Sequence, residues 1–329
     1  MLPLIERLAA WPASQQVALL FVGLFGTLVL ATAVAIVGTL RERGTLAATR
    51  WRGYRRELRA AWLGAAVFWA AWISGPAGAS LLFAAISFLA LREFITLQHT
   101  RRGDHRSLLL AFFVVLPAQY VIAGARGFDL FSVFVPVYVF LAIPVVSALA
   151  GDPERFLERN AKIQWGIMVC VYGLSHAPAL LLLGARGQAG RGAFLVFFLV
   201  IVVAVAALAQ AGVARFLRRR PVARAISRSF SWRGLFIGAA AGTLAGAALS
   251  WITPFAVWQA MALAAAAALA GLFGAFVMKA LKKDAGVRSW GSAAGITGAV
   301  GLLDRIAPLA FAAPVFFHGA RWYAGVPMG

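Results

Sequence analysis

The sequence predicts an all-α, polytopic integral membrane protein, a helical bundle of about ten transmembrane segments with both termini outside. Three observations predict it. The 329-residue chain is 62% hydrophobic and 13% charged, with a mean hydropathy of +0.84. Its apolar residues gather in long uncharged runs, and its basic residues fall almost wholly between alternate runs. A soluble globular chain has an apolar share nearer half, and disordered, coiled-coil, collagen-like or disulfide-scaffold chains do not combine such runs with 25 Phe and 11 Trp.

Ten runs are predicted as membrane helices: roughly 17–40, 60–74, 77–91, 107–125, 130–150, 163–185, 192–214, 234–251, 255–278 and 306–320. The first follows Glu6 and Arg7 and is too long for a signal-peptide core, so it reads as a retained span. Ser74-Gly75-Pro76 divides the second run from the third, and Thr253-Pro254 divides the eighth from the ninth, because Pro and Gly interrupt a helix where the chain must turn. Several runs are short for a full crossing, which a bilayer accommodates by thinning or by burying the segment within protein. The organisation expected is an N-terminal span with a basic inner-face segment, residues 1–59, followed by a main transmembrane domain, 60–329.

Charge fixes the expected orientation. Of 31 Lys and Arg, only Arg7, Arg126, Arg186, Arg191 and Arg321 lie on one side, and the other 26 fall in loops 41–59, 92–106, 151–162, 215–233 and 279–305. The positive-inside rule makes that second side cytoplasmic. Loop 215–233 holds Arg215, Arg218, Arg219, Arg220, Arg224, Arg228 and Arg233 without a single acid, a pattern suited to anionic lipid or phosphate. The net charge of +20 is spread over membrane-surface loops with no recognition motif, so nucleic acid is not expected as a partner.

Within the runs, ionisable residues are few. His176 lies beside Pro178 and is expected to satisfy a kinked helix; Gln119, Gln210 and Gln259 are expected to bond between helices. The absence of intramembrane Asp, Glu or Lys chains argues against an ion-coupled transporter. The single cysteine, Cys170, reads as a small buried residue. Histidines 99, 105, 176 and 318 are too scattered to suggest a zinc site, and there is no P-loop, nucleophile elbow or His-Glu-x-x-His pair.

Four segments carry a resemblance. They are Arg92-Glu93-Phe94, the stretch from Phe156 to Gly166, the run from Gly173 to Leu181 containing Ser175-His176-Ala177-Pro178, and Phe311-Ala312-Ala313-Pro314-Val315-Phe316-Phe317-His318. In that order they resemble the phosphatidate cytidylyltransferase (CDP-diglyceride synthetase) family, in its bacterial branch with an N-terminal extension, over about residues 55–323. The resemblance implies a transferase of phospholipid biosynthesis in the bacterial inner membrane, with CTP and phosphatidate as substrates, CDP-diacylglycerol and pyrophosphate as products, and Mg2+ as cofactor. A homodimer is among the assemblies it allows.

The family's C-terminal signature reads approximately Ser-x-x-Lys-Arg-x-x-x-x-Lys-Asp, then Gly-His-Gly-Gly-x-x-Asp-Arg-x-Asp-Ser. Here Lys282, Lys283, Asp304 and Arg305 remain, but Lys279 stands at the serine, Ser289 at the aspartate, Ala299 at the histidine and Ala307 at the second acid. Upstream, Ser227, Trp232 and Gly234 remain, while Ala207 and Arg233 replace acids and Phe230 a lysine. By resemblance, Asp304 is the metal ligand, Lys282, Lys283 and Arg305 brace phosphates, and Ser227, Trp232 and Gly234 contact the nucleotide; Asp284, which matches no family acid, is the candidate to replace the missing one. Between Glu158 and Asp284 the chain has no acid, and beyond Asp284 only Asp304. A bimetal site wants more oxygen ligands than that, so catalysis is expected to be weakened or lost, the alternative being a non-catalytic lipid-binding or regulatory protein.

Overall fold

The computed structural model describes residues 7–8, 10–41, 58, 62, 64–98, 100–183, 192–216, 220–287 and 301–323. Among the described residues, each of the ten uncharged runs contains a helix. In chain order the helices are α1 (Ala13–Arg41), α2 (Gly64–Ile73), α3 (Gly75–Thr96), α4 (Arg102–Gly124), α5 (Phe128–Ala148), α6 (Phe156–Leu182), α7 (Gly192–Phe216), α8 (Trp232–Ala248), α9 (Val257–Asp284) and α10 (Leu303–Tyr323). No strand occurs among the described residues. Among the described residues, seven helices are long and apolar enough to cross a membrane. The others are shorter, as α2 and α8 are, or carry charge and proline, as α10 does with Asp304, Arg305, Pro308 and Pro314. In lipid every backbone polar group must be satisfied within the protein, and the helix is the local way to do so.

Contacts divide the chain into two compact units, Met1–Ala79 and Ser80–Gly329. In the first, the Trp62 indole donates to the Thr32 hydroxyl at 3.1 Å, and Phe21 meets the Trp69 ring edge-on at 5.0 Å. The second holds the main core, where Leu91, Ile143, Cys170, Leu174 and Leu303 are fully buried.

Proline organises the middle of the second unit. A proline lacks the N–H that would bond the carbonyl four residues earlier. Pro136 thus releases the Ser132 carbonyl, and the Tyr172 hydroxyl of α6 donates to it at 3.2 Å; Pro144 releases Phe140, whose carbonyl accepts from the Gln164 side chain at 2.9 Å. Helices α4, α5 and α6 each contain a wide turn, at Ala111–Val115, Phe134–Val139 and Met168–Gly173. Pro314 releases the Ala310 carbonyl, and Gly173 lies against it so closely that a Cβ there would stand 2.4 Å away. Removing the Tyr172 hydroxyl by Tyr172→Phe is expected to cost about 1 kcal/mol in detergent unfolding; an unchanged midpoint would show the bond to be idle.

Helices α7 to α10 pack through small residues. A Cβ on Gly242 would reach within 2.9 Å of Ala268, and one on Gly246 within 2.3 Å of Ala264, so α8 approaches α9 more closely than larger side chains permit. Among the polar residues, Gln119 bonds the Phe131 carbonyl and the Ser175 hydroxyl as expected of an interhelical partner. Gln259 differs: its side-chain oxygen accepts from the Ala256 amide and caps its own helix, because it stands three residues inside the start of α9.

Candidate functional site

The polar contacts of the second unit collect at helix ends. The C-terminal ends of α3 and α9 meet the N-terminal end of α10 and the segment before α8. A neighbouring ion-pair network joins the starts of α4 and α6. At the opposite ends, Arg321 of α10 pairs with Asp129 of α5 and the Tyr323 hydroxyl donates to the Pro254 carbonyl. Helices that run alternately up and down produce this arrangement.

Glu93 anchors the first group. The residue lies in the last turn of α3, 3% exposed, and its two carboxylate oxygens accept from the amides of Leu302 and Leu303 at 3.0 and 3.2 Å. Those amides open α10, where N–H groups have no partner within the helix and an anion is favoured. The next residue is Asp304. Its carboxylate accepts from the Lys282 ammonium at 2.5 Å, with the aspartate side chain 39% exposed and the lysine 17%.

Lys279 lies one turn before Lys282 on α9, hence on the same face. Its half-buried ammonium donates to the Ser229 hydroxyl at 3.2 Å, and Ser229 in turn lies 3.1 Å from the Ser227 hydroxyl. The Ser229 amide also donates to Ser227 Oγ, a tight local turn in which the serine side chain substitutes for a backbone acceptor. Ser231 then caps α8 by accepting from the Gly234 amide at 3.1 Å.

Of the residues expected from sequence, the structure brings Lys282 and Asp304 into contact and sets Ser227 two hydrogen bonds from Lys279. It does not gather the rest. Lys283, Asp284 and Arg305 are exposed, and their side chains make no hydrogen bond or ion pair among the described residues. Asp284 follows Lys282 by two positions, roughly 200° around the helix, so it faces away from the Asp304 side. Trp232 is 54% exposed and stacks on Phe236, while Gly234 is buried against Gln210 of α7. Ser289 and Ala299 lie outside the described residues, as do the basic residues from Arg43 to Arg59, Arg218, Arg219 and His99.

Glu93, Lys279 and Ser229 are site residues for which no role was expected from sequence. The signal for Glu93 was present, since an acid two residues after the uncharged run 77–91 is costly in or near lipid unless something holds it. The scattered histidines also come partly together: His176 hydrogen-bonds the Tyr172 carbonyl at 2.7 Å, and its ring centre lies 5.4 Å from that of His318. No group of three or more metal-ligating side chains occurs among the described residues.

The neighbouring network is structural. Arg159 of α6, with its side chain 4% exposed, donates to Asp104 at 2.9 Å, to the Asp152 carboxylate at 2.8 Å, and to the carbonyls of Asp152 and Glu154. Four of its five donors are thereby used, and the segment 151–155, with Gly151 and Arg155 both at positive φ, is folded around it.

Fold and site together define a membrane-embedded helical protein with a cationic, hydroxyl-bearing cluster at one end of its bundle. The chain belongs to the cytidylyltransferase family, whose model matches residues 54–322. The uncharacterized protein YnbB of Escherichia coli (strain K12) is 35% identical over 265 residues, which cover 79% of this chain and 85% of that one.

The family's chemistry implies magnesium, and the acids present do not suit a metal held by side chains. Asp304 is bonded to Lys282, Glu93 to two amides, and Asp104, Asp129, Asp152, Glu154 and Glu158 to arginine or lysine. Asp284 alone of the described acids has no such bond, and it faces elsewhere.

Proposed function

We propose that this protein is a phosphatidate cytidylyltransferase-type membrane protein whose cluster at Lys279, Lys282, Asp304 and Ser227 receives the phosphates of CTP and phosphatidate. The supporting observation is the Lys282–Asp304 pair, set beside the Lys279–Ser229–Ser227 chain. In the reaction, a phosphate oxygen of phosphatidate attacks the α-phosphorus of CTP; a new P–O bond forms, and the bond to the β-phosphate breaks as pyrophosphate departs with its electron pair. The ammonium groups of Lys279 and Lys282 face charge that builds on the phosphoryl oxygens. Asp304 orients Lys282, and Glu93 fixes the turn that carries Asp304. Ten crossings, with both termini outside and the cluster at the cytoplasmic face of a bacterial inner membrane, follow from the same reading through the distribution of Lys and Arg.

The test is incorporation of labelled CTP into lipid by purified protein with magnesium present. Asp304→Ala is expected to reduce incorporation at least tenfold; robust turnover indifferent to that change refutes the assignment. A second reading, a non-catalytic lipid-binding or regulatory protein, is favoured by the internal bonding of nearly every described acid. It predicts that phosphatidic acid shifts thermal stability while CTP and magnesium do not.

A further inference from the structure

Charge and proton accounting at the end of α9 reach beyond the family reaction. The ammonium of Lys279 is half-buried, and its hydrogen-bond partner is a neutral hydroxyl, that of Ser229. Asp304, the acid whose charge acts on Lys279, is already held by Lys282. Glu93, the other acid of the site, is turned to the Leu302 and Leu303 amides, so among the described residues the Lys279 ammonium has no carboxylate bonded to it in a place where water is partly excluded. Such a charge is costly unless an anion joins it.

The donors are also counted. Lys279 has three N–H groups and uses one on Ser229; Lys282 has three and uses one on Asp304. Ser229 Oγ accepts from Lys279, so its own proton is available to Ser227 Oγ at 3.1 Å. With Ser229 as the donor, Ser227 Oγ accepts from both the Ser229 hydroxyl and the Ser229 amide and keeps its own proton for a further acceptor. Among the described residues four N–H donors and one O–H donor remain, and both carboxylates of the site, Asp304 and Glu93, are already engaged. A surface of this kind suits a phosphate, whose oxygens accept only, and suits a divalent cation poorly.

We propose that this cluster binds a phosphate group directly, without a divalent ion, with the Lys279 ammonium supplying the positive charge that a metal would otherwise provide and the Ser227 hydroxyl completing the contact. The inference rests on the phosphate-site reading above and adds to it the means of neutralisation. The phosphate can belong to a nucleotide or to a lipid headgroup, because both present the same oxygens.

The experiment measures ligand-induced shifts in thermal unfolding and binding isotherms on the full-length protein in detergent. CTP and short-chain phosphatidate form separate arms, each titrated in EDTA and again with excess MgCl2. Binding of at least one ligand is expected to persist in EDTA within about threefold of its strength with magnesium. Lys279→Met, which exchanges the ammonium for an apolar chain of similar length, is expected to weaken that binding at least tenfold, and Lys279→Arg, which keeps the charge, to retain most of it. Comparison of the unliganded unfolding midpoints separates lost binding from lost structure, and Ser227→Ala supplies a milder second variant with an expected loss of about threefold. Binding that disappears in EDTA and returns with magnesium overturns this inference while leaving the phosphate-site reading intact. Binding of neither ligand under any condition overturns both. Affinity unchanged in Lys279→Met also overturns it.

Discussion

Arg159→Met is expected to destabilise the protein by about 3–5 kcal/mol, the range for removing one partner of a buried ion pair. The guanidinium is 4% exposed and its partner Asp104 2% at the side chain, so the variant leaves a carboxylate in the interior with its main counter-charge gone. Two carbonyls, of Asp152 and Glu154, lose their donor as well. Denaturant or thermal unfolding in detergent reads the effect, and Lys162→Met serves as the comparison. Lys162 pairs with Glu158 across an exposed helix surface, where such pairs contribute at most about 1 kcal/mol. Equal losses in the two variants would show that Arg159 holds nothing the surface pair does not.

Glu93→Ala is expected to cost about 2–6 kcal/mol, since two amides at the mouth of α10 lose their acceptor and an unsatisfied buried group costs roughly 1–3 kcal/mol. Glu93→Gln keeps one carbonyl oxygen and should recover about half of that. The distinguishing measurement is amide exchange at Leu302 and Leu303, which should accelerate in Glu93→Ala by more than the global change in stability explains. Because Asp304 follows directly, the same variant should lower ligand affinity at the Lys282 side. Unchanged exchange at these two amides would remove Glu93 from the site.

The ten helices were legible because lipid leaves the backbone few choices, and an uncharged run of sufficient length is helical whatever its neighbours. The buried cysteine and the bonding role of Gln119 were legible for a related reason: a small apolar residue or a lone amide within such a run has few partners to choose from. The cluster was legible only in part. Lys282 and Asp304 are 22 positions apart and meet because α9 and α10 form a hairpin, whereas Glu93 meets Leu302 across 209 positions, a distance at which periodicity says nothing. Counting acids in the C-terminal half passed over Glu93 for that reason. Gln259 was read as interhelical because composition shows an amide in an apolar run and not that it stands at the first turn, where its own backbone amide is nearer than any other helix. Lys279 was seen as a departure from a signature; its position above Ser229 depends on the turn before α8, which no local pattern specifies.

The clasp between Glu93 and the opening of α10 orders the history of the chain as well as its shape. Two of that carboxylate's hydrogen bonds must wait until positions 302 and 303 have emerged from the ribosome. During synthesis an acidic group therefore stays at the membrane boundary while seven further helices are made, and arrival of the last one acts as a latch. Chains cut short before Leu302 should be marked for quality-control proteolysis by that unlatched acid, even though every earlier helix is intact.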